Sequence, residues 1–249
     1  MNNVSTHRLD VRSIGRVRVI TLDRAPKRNA LDENAVIQLA QAWHDFAASD
    51  DKVAILRAEG PVFTAGFDMN APPAQFWRAI PGIGIELEKP VIAAIDGPVI
   101  AAGVSLVAFC DLCVASDRSY FVYPEARLGS AAGLIASVVP RIPHKVAMEL
   151  MLLGRPVSAA RAYDVGFVNQ VCTVGQETGL ALQMAHEMAA SSLTVLRFLK
   201  SLSTQTLMRS PVEDMAVAQM AVDAVATSVD ALEGTLARRE KRPARFKGR

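Results

Sequence analysis

The run Val91-Ile92-Ala93-Ala94-Ile95-Asp96-Gly97-Pro98-Val99-Ile100-Ala101-Ala102-Gly103-Val104-Ser105 decides the fold class. Val91–Ile95 reads as a strand, Asp96-Gly97-Pro98 as a turn, and the small residues Ala101-Ala102-Gly103 stand where a helix begins. The same turn excludes a membrane span. Val91 to Phe109 is apolar enough to imitate one, but a spanning helix needs about 20 largely uninterrupted apolar residues.

Working outward, the order of strand, turn and helix recurs. Val53–Leu56 reads as a short buried strand before a loop containing Gly60-Pro61, and Val62–Thr64 and Leu112–Ala115 read as strands with turns and short helical patterns after them. Upstream, Arg8–Ser13 and Arg16–Leu22 read as a hairpin turning at Ile14-Gly15, followed by a polar, cationic loop over Asp23–Leu31. Asp32 is placed to cap a helix with Val36, Leu39, Ala40, Trp43 and Phe46 on one face. Beyond Pro143 the patterns are helical over His144–Leu153, Ser158–Tyr163, Gln176–Ala190, Thr194–Thr206, Pro211–Ala226 and Val229–Arg239. Phe167–Val171 is the one late strand. The expectation is an α/β fold built as short turns of a layered spiral, with a helical C-terminal third. No sequence repeat accompanies it.

The chain has 249 residues, 51% hydrophobic and 21% charged, so it has the means to bury a core and is not an intrinsically disordered segment. Its three cysteines leave one unpaired under any disulfide scheme, which predicts a reducing, cytoplasmic compartment. The polar opening MNNVSTHRLDVR predicts no cleavable signal. The net charge of +2 is uneven: Arg238 to Arg249 carry seven Lys/Arg and one Glu, a tail of +6 on a body of −4. With Phe246 as its one aromatic residue, that tail lacks the aromatic interleaving of a nucleic-acid surface. His7, His44, His144 and His186 show no metal spacing, and Cys110 and Cys113 read as core residues.

Three segments carry the chemistry: Phe63-Thr64-Ala65-Gly66-Phe67-Asp68-Met69, Asp96 to Ser105, and Tyr120-Phe121-Val122-Tyr123-Pro124-Glu125-Ala126-Arg127-Leu128-Gly129. In the first two, small residues follow an apolar strand at an expected helix start, where unpaired N–H groups attract negative charge and a ligand can approach the main chain. Two such N–H groups facing one another would make an oxyanion hole. In the third, a carboxylate directly follows an apolar strand. Taken singly, these features are ordinary: an Ala-Gly turn, close helix packing, a paired acid.

Taken in order, they resemble the crotonase family, the enoyl-CoA hydratase/isomerase group, nearly end to end. Thr21 to Leu31 is similar to that family's opening stretch, which ends in Arg-Asn-Ala-Leu. Phe63–Asp68 resembles Phe-Ser-Ala-Gly-x-Asp, Asp96–Ser105 resembles Asn-Gly-x-x-x-Gly-Gly-Gly, and Glu125 falls in Pro-Glu-x-x-x-Gly. Leu152–Pro156 with Ala162–Asn169, and Glu233 to Phe246, resemble the later signatures.

The resemblance implies a crotonase-like layered spiral core over 1–193 and a helical oligomerisation region over 194–249, assembling as a homotrimer or hexamer. It implies an acyl-CoA substrate, with coenzyme A entering as part of that substrate and no separate cofactor, metal, nucleic acid or membrane partner. By position, Phe67 and Ala102 would supply the oxyanion N–H donors. Glu125 matches the second of two catalytic glutamates in hydratases, whereas the position of the first is Ser105. One carboxylate is sufficient to move a proton between carbons, so double-bond isomerisation is favoured. Hydration stays open, because hydroxycinnamoyl-CoA hydratase-lyases also resemble this pattern, with serine at that position. Thioester hydrolysis, decarboxylation and catalytically weak CoA binding stay open as well. Gly133 matches a glycine that positions water. Lys27, Arg28, Ala30, Ala65, Asp68, Met69 and Lys241 match CoA-contacting positions. Asn70 stands where the family has a lysine, and Arg238 replaces an aromatic residue of the acyl pocket.

Overall fold

The computed structural model describes residues 9–130 and 132–248; His7, Arg8 and Arg249, read above in the histidine set, the hairpin and the tail, lie outside them. Two sheets organise the chain. The larger has six strands: β1 (Leu9–Ile14), β2 (Val17–Leu22), β3 (Val53–Ala58), β4 (Val91–Ile95), β6 (Leu112–Ser116) and β9 (Gln170–Cys172), in the order β1-β2-β3-β4-β6-β9. Only the β1–β2 hairpin is antiparallel; the remaining pairs are parallel. The smaller has three strands, β5 (Pro98–Ile100), β7 (Tyr120–Val122) and β8 (Val157–Ser158), with β5–β7 parallel and β7–β8 antiparallel.

The chain alternates between these layers. It leaves β4 of the large sheet for β5 of the small one, then enters helix α2 (Ala102–Ala108). The next turn repeats the order with β6, β7 and the short helix α3 (Glu125–Leu128). An earlier turn runs from β3 to a single parallel bridge between Thr64 and Val99 on β5. This is the layered spiral expected from the sequence. Each strand-to-strand corner must be tight. At Gly97 the backbone has φ +82°, and a Cβ there would collide with the carbonyl oxygen of Pro61, so only glycine fits.

Burial follows from composition. All five residues of β4 are buried, as a parallel strand covered on both faces requires. One face packs on α6 (Glu177–Ala190) through Ala181 and Ala185, against Val19, Ile55, Ile92 and Val114. The other face carries the main core, including helix α1 (Glu33–Ala48). Asp32 caps α1 as predicted, its side chain accepting from Ala35 N at 2.9 Å. Val36, Leu39, Trp43 and Phe46 are buried on its inner face, while Ala40 is half-buried. Among the described residues, no single helix is long and apolar enough to cross a membrane.

Several expectations are corrected. Val62–Thr64 forms no strand; Thr64 makes only the bridge to Val99, because the chain turns away again at Gly66. No helix starts at Gly66–Phe67. The late strand lies at Gln170–Cys172 rather than Phe167–Val171, since Phe167 N and Val168 N both bond Ala162 O and close the preceding turn. The hairpin turns at Gly15-Arg16, with φ +63° at Gly15. The predicted helix His144–Leu153 is α4 (His144–Met148) continued by a π-helical turn over Glu149–Leu153. The remaining helices are α5 (Ala159–Asp164), α7 (Leu193–Thr206), α8 (Pro211–Ala226) and α9 (Val229–Glu240), close to their predicted bounds.

Candidate active site

Strand pairing brings the three chemical segments together. Thr64 bridges Val99, and β5 pairs in parallel with β7, so Val99 stands opposite Phe121 and Ile100 opposite Val122. Parallel neighbours end on the same side of a sheet. The residues just beyond those ends are Gly66-Phe67, Ala101-Ala102 and Glu125, the crevice position where parallel α/β sheets bind ligands. Ile100 N donates to Thr64 O at 3.0 Å and Ala101 N to Val122 O at 2.9 Å, which pins the second segment between the other two.

The first two turns touch. A Cβ on Gly66 would stand 2.7 Å from Ala101 Cβ and 3.7 Å from Ala102 N. Gly66 has φ +85°, which a side chain rarely adopts. Ala101 itself is held at φ 57°, ψ −120°, a region costly for any residue with a Cβ.

Phe67 lies in a bridge with Leu31. Leu31 N donates to Gly66 O and Asp68 N to Leu31 O, both at 2.8 Å. Those flanking groups point towards Leu31, so the N–H of Phe67 points the other way. Ala102 opens α2, where the first N–H groups have no partner within the helix. Among the described residues, neither N–H has an acceptor. The Phe67 ring packs edge-on against Phe76 at 5.0 Å, which steadies the turn from its side-chain face.

Glu125 begins α3 and is 8% exposed. Its Oε2 is buried and has no hydrogen-bond partner among the described residues. Desolvation raises its proton affinity above the ordinary carboxylate range, against a smaller lowering by its own backbone N–H. A buried acid with one oxygen unpaired is expensive for a fold and suited to accepting or delivering a proton. Ser105 lies three residues along α2 from Ala102 and is buried.

Residues 13–249 match the family described as Enoyl-CoA hydratase/isomerase. The chain belongs to this family. An enoyl-CoA hydratase of Mycobacterium tuberculosis, EchA19, is 31% identical over 252 residues, covering 94% of each chain. A carnitinyl-CoA dehydratase of Proteus mirabilis is 32% identical, covering 94% of this chain and 96% of its own. The crystal structure of a carnitinyl-CoA hydratase from Mycobacterium avium superposes with a TM-score of 0.77 at 26% identity, over 97% of this chain and 99% of the other. The protein is thus an enzyme of the crotonase fold.

Of the remaining predicted positions in this family member, most lie on two adjoining loops, 24–31 and 64–70. Lys27 and Arg28 are exposed, and Arg28 and Asn29 both adopt left-handed backbone. The buried Asn29 amide holds that shape: it accepts from Arg24 N and donates to Glu59 O and Val62 O, each at 2.8 Å. Ala65 N donates to Arg28 O at 2.9 Å, so Ala65 and Ala30 stand beside the same loop. Asp68 is occupied. It accepts from Asn70 N and, at 2.8 Å, from Arg24, and these bonds hold its carboxyl below the usual range. Arg24 also reaches Asp32 at 3.2 Å and Ala30 O at 3.2 Å. That tie was absent from the predicted set, although Arg24 lies inside the matched opening stretch. Met69 is exposed, and Gly133 begins a 3-10 run, Gly133–Arg141, against Val212 of α8.

Lys241 lies at the end of the helical C-terminal third. It ends α9, which packs on α8 and on the folded-back tail, where Arg242 grips Glu233 and Lys247 N bonds Asp230. A cavity of about 730 Å³ opens elsewhere, between α7 and the body, lined by Phe109, Cys110, Arg141, Lys200 and Leu207 among others. Cys113 is buried and Cys110 half-buried, and desolvation raises both thiols well above their usual range. Among the described residues, no group of three or more His, Cys, Asp or Glu is placed to hold a metal.

Proposed function

We propose that the enzyme binds an enoyl-CoA thioester, cradles its carbonyl oxygen on the N–H groups of Phe67 and Ala102, and moves a proton with Glu125. One observation carries this reading: the buried carboxyl of Glu125, its Oε2 unpaired among the described residues, follows the strand adjacent to the one that presents the N–H of Ala102.

The chemistry follows from charge. Removing a proton from the carbon next to a thioester carbonyl pushes an electron pair towards its oxygen. Two fixed donors stabilise that charge without reorganising, and losing one such donor costs about 2.7–4 kcal/mol. The base must take the proton and hold it, and burial favours the neutral, protonated form of Glu125. Returning the proton two carbons further along shifts the double bond by one position. This needs a single carboxyl group. Position 105 offers only a hydroxyl, and the nearby Asp68 is tied to Arg24. Isomerisation of a 3-enoyl-CoA to its 2-enoyl isomer is therefore favoured. The relatives named as hydratases and dehydratases support a second reading, in which water bound near Ser105 and Gly133 adds across the 2-enoyl bond.

Lys27 and Arg28 would meet the phosphates of CoA, with Ala30 and Ala65 giving its chain access to the main chain. Residues 194–249 are read as the oligomerisation region of a trimer or hexamer. The test is turnover of 2- and 3-enoyl-CoA esters, with products identified by mass spectrometry. Wild type is expected to interconvert them, and Glu125→Gln to lose at least a hundred-fold in kcat. Unchanged turnover in that variant overturns the assignment.

A further inference from the structure

Tyr123 stands two residues before Glu125, where β7 passes into α3, and is 4% exposed. Its phenol reaches a segment nine residues on. The hydroxyl accepts from Ala132 N at 2.9 Å and donates to Ala132 O at 3.1 Å, so one side chain satisfies both main-chain groups of one residue. Beyond Glu125 the chain turns: Gly129 has φ +68°, and Ser130 N donates to Glu125 O at 3.1 Å. Directly after Ala132, Gly133 opens the 3-10 run whose Leu134, Ile135 and Val138 enter the core. Phenylalanine would fill the same volume, so packing does not explain the oxygen. What the oxygen adds is a fixed position for Ala132 and Gly133, on the segment that follows the acid's helix.

We propose that Tyr123 is a positioning residue for Glu125, its hydroxyl clamping the Ala132–Gly133 main chain so that water is kept from the carboxyl. This rests on reading Glu125 as the proton carrier. The surroundings leave enclosure as the main control on that acid. Arg127, on the same helix, donates to Leu153 O at 2.6 Å, and Glu149 on the adjoining π-helical turn is paired with Arg161 at 2.6 Å. Arg141, at the far end of the Gly133 run, lies over the Phe109 ring. The titratable group beside Glu125 is Tyr123 itself, whose own proton affinity is raised by burial and, to a lesser degree, by the Glu125 charge.

Tyr123→Phe tests the clamp. Its kcat is expected to fall about ten-fold with KM changed less than two-fold, because the residues read as holding CoA lie on another loop. The Glu125 titration, followed by carbon NMR on labelled glutamate with Glu125→Gln identifying the signal, is expected to drop by about one pH unit towards the exposed value. A variant that merely melts earlier, with kcat and titration unmoved, overturns the clamp and leaves the reading of Glu125 intact. Full turnover in Glu125→Gln instead overturns that reading, whatever the titration shows.

Discussion

Gly66 and Ala101 approach so closely that a methyl on the glycine would stand 2.7 Å from the alanine's own, and this contact sets the spacing of the two turns that carry Phe67 and Ala102. Gly66→Ala would meet both this overlap and a φ of +85°. The expected cost is about 2–4 kcal/mol of stability. Displacing one donor also predicts a loss of about a hundred-fold or more in kcat. Urea unfolding and steady-state kinetics check the two effects separately.

Ala101→Gly should act in the opposite direction. Ala101 sits at φ 57°, ψ −120°, a strain of about 1–3 kcal/mol that glycine does not suffer. Glycine's greater freedom in the unfolded chain offsets about 0.5–1 kcal/mol of the gain. A net stabilisation of about 1 kcal/mol corresponds to a melting temperature about 2–4 °C higher. Thermal denaturation that moved the other way would show that the alanine methyl contributes more by packing than it costs in strain.

Glu125 makes stability depend on pH in a defined direction. Burial raises its proton affinity, so the native state holds the proton at pH values where the unfolded chain has already lost it. Stability therefore falls as pH rises from the unfolded carboxyl range through the native value, and the full penalty applies above both. Glu125→Gln is expected to be more stable than wild type at neutral pH, with the advantage disappearing below the unfolded range. Denaturant unfolding of both proteins between pH 4 and 8 measures it.

If Lys27 and Arg28 meet CoA phosphates, their contribution is to binding alone. Arg28→Ala is expected to raise KM roughly three- to ten-fold and leave kcat unchanged, with a smaller effect at high salt. A fall in kcat at constant KM would remove Arg28 from the phosphate-binding set.

One face of α7 presents Val195, Phe198, Leu199 and Leu202 at helical spacing, each about half exposed or more. α8 adds Met215, Val222 and Val225. So much apolar surface predicts an interface between copies. Phe198→Glu is expected to shift sedimentation from trimer or hexamer towards monomer at micromolar concentration, and a wild-type monomer would contradict the assembly.

Where the sequence was legible, the signal was local. Asp32 ahead of a stripe of Val36, Leu39, Trp43 and Phe46 specifies α1 and its buried side, and Val91–Ile95 specifies a covered strand. Val62–Thr64 has the same apolar look but only one bridging partner, so it makes no strand. Val157–Ser158 carries little strand signal and is a strand because β7 offers an edge to pair with.

By itself, the order of residues determined the alternation of strands, turns and helices, the small residues at the turns, and an acid directly after a strand, because these depend on periodicity and on side-chain size within a few positions. Only the tertiary structure decided that Thr64, β5 and β7 lie side by side, that Phe67 and Ala102 keep their N–H groups unpaired among the described residues, and that Tyr123 reaches Ala132. Whether a main-chain group is free or an acid is dry depends on partners far along the chain, and those are chosen when the layers pack.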